Sequence, residues 1–446
     1  MKNMLNRRDF LHRTVLAAGA ALTAPYFARN LRAASPSGTI LHAAIGAGGQ
    51  AAADLEQFVR HPAFKLVAMA DVDLTKTAVW KERFPNLRIY QDWRVLLEKE
   101  KELTSVNVST PDHMHAAIAM SAMQLGRHVY VQKPLTHDIY ETRQLTHYAR
   151  EHKLVTQMGI QIHSTAEYRL AVRLIQDGAI GKVKEVHSWV GKSWGDTQPR
   201  PSGVDPVPAG FSWDLWVGNA AMRPFIGGGY YHPSNWRKRL DFGTGTFGDM
   251  GCHIFDPVFS ALELTTPLSV RSEGPAPNEW NWAINSVIHY VFQGTARTAG
   301  PTLNVSWYDG DQRPPPAVQA LVPVEKLPDG GSIIIGDKGV MLLPHIARPR
   351  LFPEAQYAEF PLPKVVDGNH YTLFLEAVLG NGRTTAGFDY AGPLTEAVLL
   401  GGVASHFPHN TLNWDAKALA VTNVKEANGF LRRKKYRSGW KVKGLS

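Results

Sequence analysis

The chain has 446 residues, 44% hydrophobic and 20% charged, with a formal net charge of +9 and one cysteine. That length exceeds one ordinary core and implies two domains after any leader, and a lone cysteine excludes an internal disulfide. The charge does not read as a nucleic-acid site. Residues 1–34 carry six Lys/Arg (Lys2, Arg7, Arg8, Arg13, Arg29, Arg32) against Asp9, a net +5, leaving about +4 for the rest. Much of that remainder sits in the final "LRRKKYRSGWKVK", read as a solvated basic terminus.

In chain order, the first element is "NRRDFLHRTVLAAGAALTAPYFA". A twin arginine followed by a short Ala-rich run resembles a twin-arginine export signal, assigned to residues 1–34. The run from Val15 to Ala24 is too short for a relaxed membrane span, and no later stretch approaches ~20 apolar residues. No clean small-x-small cleavage site follows; Ala33 and Ala34 are nearest, so the leader is either cut there or kept as an anchor. A single cysteine suits a protein folded in the cytoplasm before export. The expected location is periplasmic.

From Thr39 to about residue 160, apolar runs alternate with helical stretches. "TILHAAIG", "FKLVAMAD", "SVNVST", "HVYVQ" and "LVTQMG" read as buried strands. "DLEQFVRH", "DWRVLLEKEK", "DHMHAAIAMSAMQLG" and "DIYETRQLTHYAREHK" read as helices opened by Asp caps. Such alternation predicts right-handed crossovers and a doubly wound parallel sheet over residues 38–160, a Rossmann-type α/β domain. After residue 160 the texture changes. A helix ("STAEYRLAVRLIQDG") and a long alternating strand ("KVKEVHSWVGKSW") precede Pro/Gly-rich loops and short strands rich in Trp and Val. Residues 161–446 are therefore predicted to form an α+β domain with a large, mostly antiparallel open sheet. Its late helices, "YTLFLEAVLGN" and "PLTEAVLLGGVASHF", are expected to pack back on the sheet or on the first domain.

The first strand ends in "AIGAGGQAAADL", with Gly46, Gly48 and Ala51 at the G-x-G-x-x-G/A positions between strand and helix. Gly46 makes the tight turn, Gly48 lets a pyrophosphate approach the backbone, and the helix N-terminus offers N–H groups to it. The next strand ends "AMADVD", which puts Asp71 where a carboxylate receives the adenosine ribose hydroxyls. The same carboxylate repels a 2′-phosphate, so the expected cofactor is NAD rather than NADP.

Taken together, "GAGGQ…ADVD…STPDHMHA…GRHVYVQKPLTHDI…QIHS…GAIGKVKEVH…GDMGCHIFDP" resembles the glucose-fructose oxidoreductase/inositol dehydrogenase/rhizopine-catabolism (Gfo/Idh/MocA) superfamily, nearest its exported members. The resemblance runs from about residue 38 to the end. It implies a Rossmann domain, a C-terminal domain whose open sheet joins subunits into a homodimer or homotetramer, and chemistry on a sugar or cyclitol. The family's Glu-Lys-Pro motif falls on Gln132, Lys133 and Pro134, with Gln132 a departure, and its Asp-x-x-x-His motif falls on Asp249 and His253. By resemblance, Gly46, Gly48, Gly49, Gln50, Asp71, Thr110, Pro111, His115, Gln132 and Lys133 contact the cofactor. The same resemblance assigns Lys133, Asp249 and His253 to catalysis and His163 to the substrate site, whereas Tyr231, His232, Trp236 and Arg237 are assigned to substrate binding from their place in the segment before Asp249 and His253, where flat aromatics suit a sugar.

The chemistry matches the residue types. Residues four apart on a helix share a face, so Asp249 and His253 can converge on one substrate. The glycines of "GTGTFGDMGCHIFDP" are expected to let that helix approach a sugar and a nicotinamide. Oxidising a carbinol requires its hydroxyl proton to leave, a task for an imidazole. A lysine ammonium stabilises the developing alkoxide and lowers the imidazole's proton affinity; Pro134 helps aim it. Asp249 then orients the substrate or the histidine tautomer.

Competing readings exist for several residues. Asp112, His113 and His115 could suggest a metal, but no further ligands stand at suitable spacing and no metal is assigned. Cys252 reads as a small buried thiol rather than a nucleophile. For Trp213, Trp216, Tyr231 and Trp236, sugar stacking and core packing remain equally open.

Export in a folded, loaded state calls for a tightly held cofactor whose redox state is restored in place. Two enzymatic schemes satisfy this: ping-pong oxidoreduction between two carbonyl–carbinol pairs, or a redox-neutral glycosidase or lyase acting through a 3-keto intermediate. A reading from another class is a non-catalytic sugar- or NAD-binding protein, against which Lys133, Asp249 and His253 together argue.

Overall fold

The computed structural model describes residues 38–446, so the expected export segment lies outside the described residues. Strands β1 (Ile40–Ile45), β2 (Phe64–Ala70), β3 (Arg88–Tyr90), β4 (Ser105–Val108), β5 (His128–Gln132) and β6 (Thr156–Gly159) form one parallel sheet. Its order, β3-β2-β1-β4-β5-β6, reverses direction between β1 and β4. A crevice opens beyond the strand ends at that reversal, where this class of sheet binds its ligands. The five expected strands are all present. β3 is additional, a three-residue edge strand with no apolar run to announce it.

Two helix starts follow the Asp reading: Asp92 accepts from the Arg94 N–H, and Asp138 from the Glu141 N–H at 2.8 Å. Two do not. The helix Gln50–Phe58 begins four residues before Asp54, which makes Asp54 a buried interior residue rather than a cap. In the helix Asp112–Gln124, Pro111 holds the cap position and the Asp112 carboxylate instead accepts from the Thr244 hydroxyl at 2.7 Å.

The second sheet has nine strands: β7 (Val183–Val190), β8 (Ser269–Ser272), β9 (Val287–Gln293), β10 (Thr302–Asp309), β11 (Gly330–Gly336), β12 (Val340–Pro344), β13 (Arg350–Phe352), β14 (Thr411–Asp415) and β15 (Ala420–Val421). They run in the order β13-β12-β11-β7-β10-β9-β8-β14-β15, antiparallel except for the β7–β10 pair. β9 and β14 alternate buried and exposed side chains, the pattern of a sheet with one covered face. That covered face packs on the helix Gly245–Leu262, and a continuous apolar core joins Val106 and Val129 of the first sheet to Phe255, Val305 and Trp307.

The late helices are His370–Val378 and Phe388–Ser405. The first lies on the Rossmann unit, where Phe374, Leu375 and Val378 pack with Ile40, Phe58 and Tyr130. The second bridges the helices Ile139–Glu151 and Gly245–Leu262, with Arg143 paired to Glu396. The C-terminal tail is not a solvated strand of charge. Leu431, Tyr436, Trp440 and Leu445 are buried, Arg433 pairs with Asp241, and Arg437 pairs with Asp214. Its aromatic and aliphatic residues dock it, and two of its cations meet acids already on the body, while Arg432, Lys434, Lys435, Lys441 and Lys443 stay exposed. Among the described residues, no helix is long and apolar enough to cross a membrane.

Candidate active site

The loop after β1 is built for a dinucleotide. Gly46 has φ +107°, and a Cβ there would lie 2.4 Å from the Ser109 carbonyl oxygen, so no other residue fits. Gly49 caps the helix Gln50–Phe58 without using a side chain; the Ala51 N–H is taken by the Gly48 carbonyl at 3.1 Å, and those of Gln50 and Ala52 have no partner among the described residues and are available to an anion. Asp71 directly follows β2, with one carboxylate oxygen accepting from the Ala47 N–H at 2.8 Å and the other from the Asp73 N–H at 2.9 Å. Burial raises its pKa to about 6, against the lowering effect of those two N–H donors.

An open cleft of about 370 Å³ runs from Asp71 past the glycine loop to Lys133. Gly46, Gly48, Gly49, Gln50, Asp71, Thr110, Pro111, Gln132, Lys133, His232, Trp236 and Arg237 all line it. Free N–H groups at one end, a ribose-reading carboxylate and a lysine at the far end are what a nicotinamide dinucleotide requires. The residues fit that group.

His115 does not line the cleft. Its ring nitrogens lie 2.8 Å from the carbonyl oxygens of Pro134 and Thr110, so it ties the turn after Lys133 to the end of β4. His113 turns to the Trp216 carbonyl and Asp112 to Thr244, so the three polar residues of this turn have separate partners and form no ligand set.

At the far end, Asp249 and His253 stand one turn apart on the helix Gly245–Leu262. The Lys133 ammonium donates to Asp249 Oδ1 and to its main-chain oxygen, both at 2.6 Å. Arg237 Nε donates to the same Oδ1 at 3.1 Å, and Trp194 Nε1 to Oδ2 at 2.8 Å. Lys192 lies 3.9 Å from Oδ2. Although burial pushes the other way, these cations hold the Asp249 carboxyl well below the usual carboxylate range. Asp249 therefore anchors Lys133, and its carboxylate makes no hydrogen bond to the His253 ring.

His253 is buried, and its Nδ1 has no partner. Burial, then Lys133 and then His345 push its pKa well below the ordinary imidazole value, so it stands neutral. The lowering that Lys133 was expected to exert on this imidazole is present, and burial adds more to it. Further along the helix, Asp256 accepts from Tyr390 Oη and lies 2.8 Å from His163 Nδ1. His163 thus has a carboxylate behind it, and His253 has none.

The glycines of this helix serve packing rather than ligand approach. A Cβ on Gly248 would fall 1.9 Å from Thr244 Oγ1, one on Gly251 would strike the Phe247 ring at 2.6 Å, and one on Gly245 would meet Trp282 at 2.9 Å. Cys252 is fully buried, and burial pushes its thiol up to about 12, so it is an inert filler. Tyr231 packs with Trp213, Trp216 and Phe242 in an aromatic cluster away from the cleft lining. Trp216 and Trp236 belong to that cluster and also present an edge to the cleft.

Sequence reasoning missed Lys76 and Gln91 in the cleft, Lys192 and Trp194 around Asp249, and Asp54 beneath Gln132. Only Asp54 left a trace: an acid in the helix and an amide where the family has an acid.

Residues 40–160 match the oxidoreductase family with an NAD-binding Rossmann fold, and residues 175–297 match that family's C-terminal alpha/beta domain. The levoglucosan dehydrogenase of Pseudarthrobacter phenanthrenivorans is 24% identical over 196 residues, 44% of this chain and 41% of that protein. The 2,7-anhydro-N-acetylneuraminate hydratase of Mediterraneibacter gnavus is 28% identical over 106 residues, 24% of this chain and 28% of that protein. The chain thus spans less than half the length of either relative. Among solved structures, a WlbA dehydrogenase from Chromobacterium violaceum, in complex with NADH and UDP-GlcNAcA, superposes with a TM-score of 0.60 at 15% identity, covering 85% of this chain and 96% of that one. The aldose-aldose oxidoreductase of Caulobacter crescentus gives 0.57 at 15% identity, covering 84% and 100%. The chain belongs to the Gfo/Idh/MocA family of NAD-binding oxidoreductases.

Proposed function

We propose that the protein oxidises a secondary hydroxyl, or reduces the matching ketone, of a sugar, sugar derivative or cyclitol, with its NAD tightly held and recycled in place. The observation that carries this reading is the Lys133 ammonium, fixed by Asp249 at the end of the dinucleotide cleft with neutral His253 one helical turn away. NAD, when bound, supplies the acceptor for the hydride of the carbinol carbon. The chain's own residues manage the proton and the charge. Lys133 spends two of its three N–H donors on Asp249, which leaves one for the substrate oxygen and its developing negative charge. His253, already unprotonated, accepts the hydroxyl proton. Asp249 acts by positioning Lys133 and Arg237.

The sugar-processing names of the relatives support a carbohydrate substrate. Export by the twin-arginine route and assembly through the open second sheet complete the proposal. A redox-neutral elimination is the second reading, favoured by the hydratase relative and by the His163–Asp256 pair, a second base suited to a C–H beside a ketone.

The experiment is to denature the purified protein without added cofactor and identify any released nucleotide and its redox state by mass spectrometry. Near-stoichiometric NAD or NADH supports a resident cofactor; an empty protein overturns it. A sugar panel then separates the readings. Net oxidation of one sugar supports the oxidoreductase, whereas loss of a substituent without net oxidation supports the elimination.

A further inference from the structure

Around Asp249 the donors outnumber the acceptors. Lys133, Arg237 and Lys192 bring three positive charges to one carboxylate, whose two oxygens are already taken by Lys133, Arg237 and Trp194. Neighbouring acids do not redress the balance. Asp256 is committed to His163 and Tyr390, Asp112 is buried against Thr244, and Asp196 pairs with Arg239 at 2.9 Å. His253 and His345 are both pushed below the ordinary imidazole value by burial, so neither adds nor removes charge near neutral pH.

Two of the three cations are left with unused capacity. Arg237 spends only Nε on Asp249; its two terminal nitrogens have no partner among the described residues. Its guanidinium carbon stands over the Trp236 ring, 4.3 Å from the centroid, and over the Trp194 ring at 5.5 Å, and with Nε tied to Asp249 this restrains the direction of its free edge. The Lys192 ammonium is half-exposed, and besides the distant Asp249 oxygen it meets only the Met250 sulfur at 3.3 Å, a weak acceptor. Nor does the cofactor's pyrophosphate call for these cations. Its place is the glycine loop and helix N-terminus at the other end of the cleft, beside Lys76.

Neutral sugars present hydroxyls, each both donor and acceptor, and sites for them need acceptors of their own. Here the unpartnered His253 imidazole is left for the reacting hydroxyl, while beside Arg237 and Lys192 the Asp249 oxygens are already taken and donors remain in excess. An oriented arginine fork beside a lysine matches a planar carboxylate.

We propose that the substrate is a sugar acid, an aldonate or uronate, whose carboxylate is received by the free edge of Arg237 together with Lys192. The inference rests on the dehydrogenase reading above and names its substrate class. Because Lys133 and Arg237 bond the same Asp249 oxygen, the carboxylate and the reacting carbinol belong to one small molecule rather than to distant parts of a polymer.

The test is calorimetric binding to the NAD-loaded protein of matched pairs: glucose with glucuronate and gluconate, galactose with galacturonate, and glucose 6-phosphate as the alternative anion. At least one acid should bind tenfold or more tighter than its neutral partner. That preference should fall to near parity in both Lys192→Gln and Arg237→Gln, and Lys192→Gln, whose side chain does not line the dinucleotide cleft, should leave NAD binding unchanged. Equal or tighter binding of the neutral sugars, no binding by any acid, or preference for the phosphate each overturns the proposal. Cofactor absorbance, followed in the same samples, separates the two readings. A bound acid that never changes it removes the dehydrogenase reading and leaves the carboxylate site standing. Hydride transfer with neutral sugars alone does the reverse.

Discussion

Gln132 Nε2 lies 3.0 and 2.9 Å from the two carboxylate oxygens of Asp54, a buried acid that also receives Gln50, Ser109 and Tyr371. This pairing accounts for the departure from the family's Glu-Lys-Pro motif. The amide can donate to Asp54, whereas a glutamate would set a second carboxylate against one that burial already pushes toward its protonated form. The acid of this region resides on the nucleotide helix, and the residue before Lys133 is correspondingly neutral.

Gln132→Glu is therefore expected to destabilise the fold by about 3 kcal/mol at neutral pH, the scale of an uncompensated buried charge. The loss should shrink as pH falls, because the folded pair retains a proton that the unfolded chain releases. Adding Asp54→Asn should restore most of it. Thermal melts of the single and double variants across pH 5–8 check this; a single variant as stable as the parent at every pH overturns the pairing argument.

Asp71 titrates at about 6 in the free protein, raised by burial. Its ionised form is the one that accepts both ribose hydroxyls, so NAD affinity should be level above about pH 7 and weaken as pH falls through about 6. Asp71→Asn should bind NAD more weakly, lose that pH dependence and lose its discrimination against NADP. Dissociation constants of the stripped protein for both nucleotides, measured from pH 5 to 8, settle the point.

What the sequence reveals here is what covalent spacing enforces. Gly46, Gly48, Ala51 and Asp71 are legible because a strand–turn–helix closing on a phosphate leaves few choices at those positions. Asp249 and His253 are legible because a helix aligns residues four apart. Lys192 and Trp194 lie just beyond the end of β7 and reach Asp249 only once the sheet packs under the helix Gly245–Leu262, a contact no local pattern encodes. Asp54 sits in a short apolar helix where an acid reads as a cap, and its burial makes sense only beside Gln132, Ser109 and Tyr371 from three separate elements. The helix glycines were misleading for a related reason. Their partners are Thr244, Phe247 and Trp282 rather than a ligand, and crowding by protein or by substrate selects the same residue.

Lys133→Met and Asp249→Asn separate the lysine's chemistry from its anchor. Lys133→Met should leave NAD binding intact and lower turnover by about 10²–10³-fold, the scale of losing one oriented electrostatic donor. Asp249→Asn keeps the lysine but strips the charge that holds Lys133 and Arg237 in place. Turnover should fall too, and stability should drop by about 3 kcal/mol at neutral pH, since two largely buried cations lose their anion. The pH dependence follows from the lowered folded pKa of Asp249. Its contribution is fully present above the unfolded value of about 4 and is lost as pH falls below it. The gap in stability between parent and Asp249→Asn should accordingly narrow below about pH 4. Equilibrium unfolding across pH 3–7 reads that gap; a gap that stays constant would show that Asp249 supports the fold by shape rather than by charge.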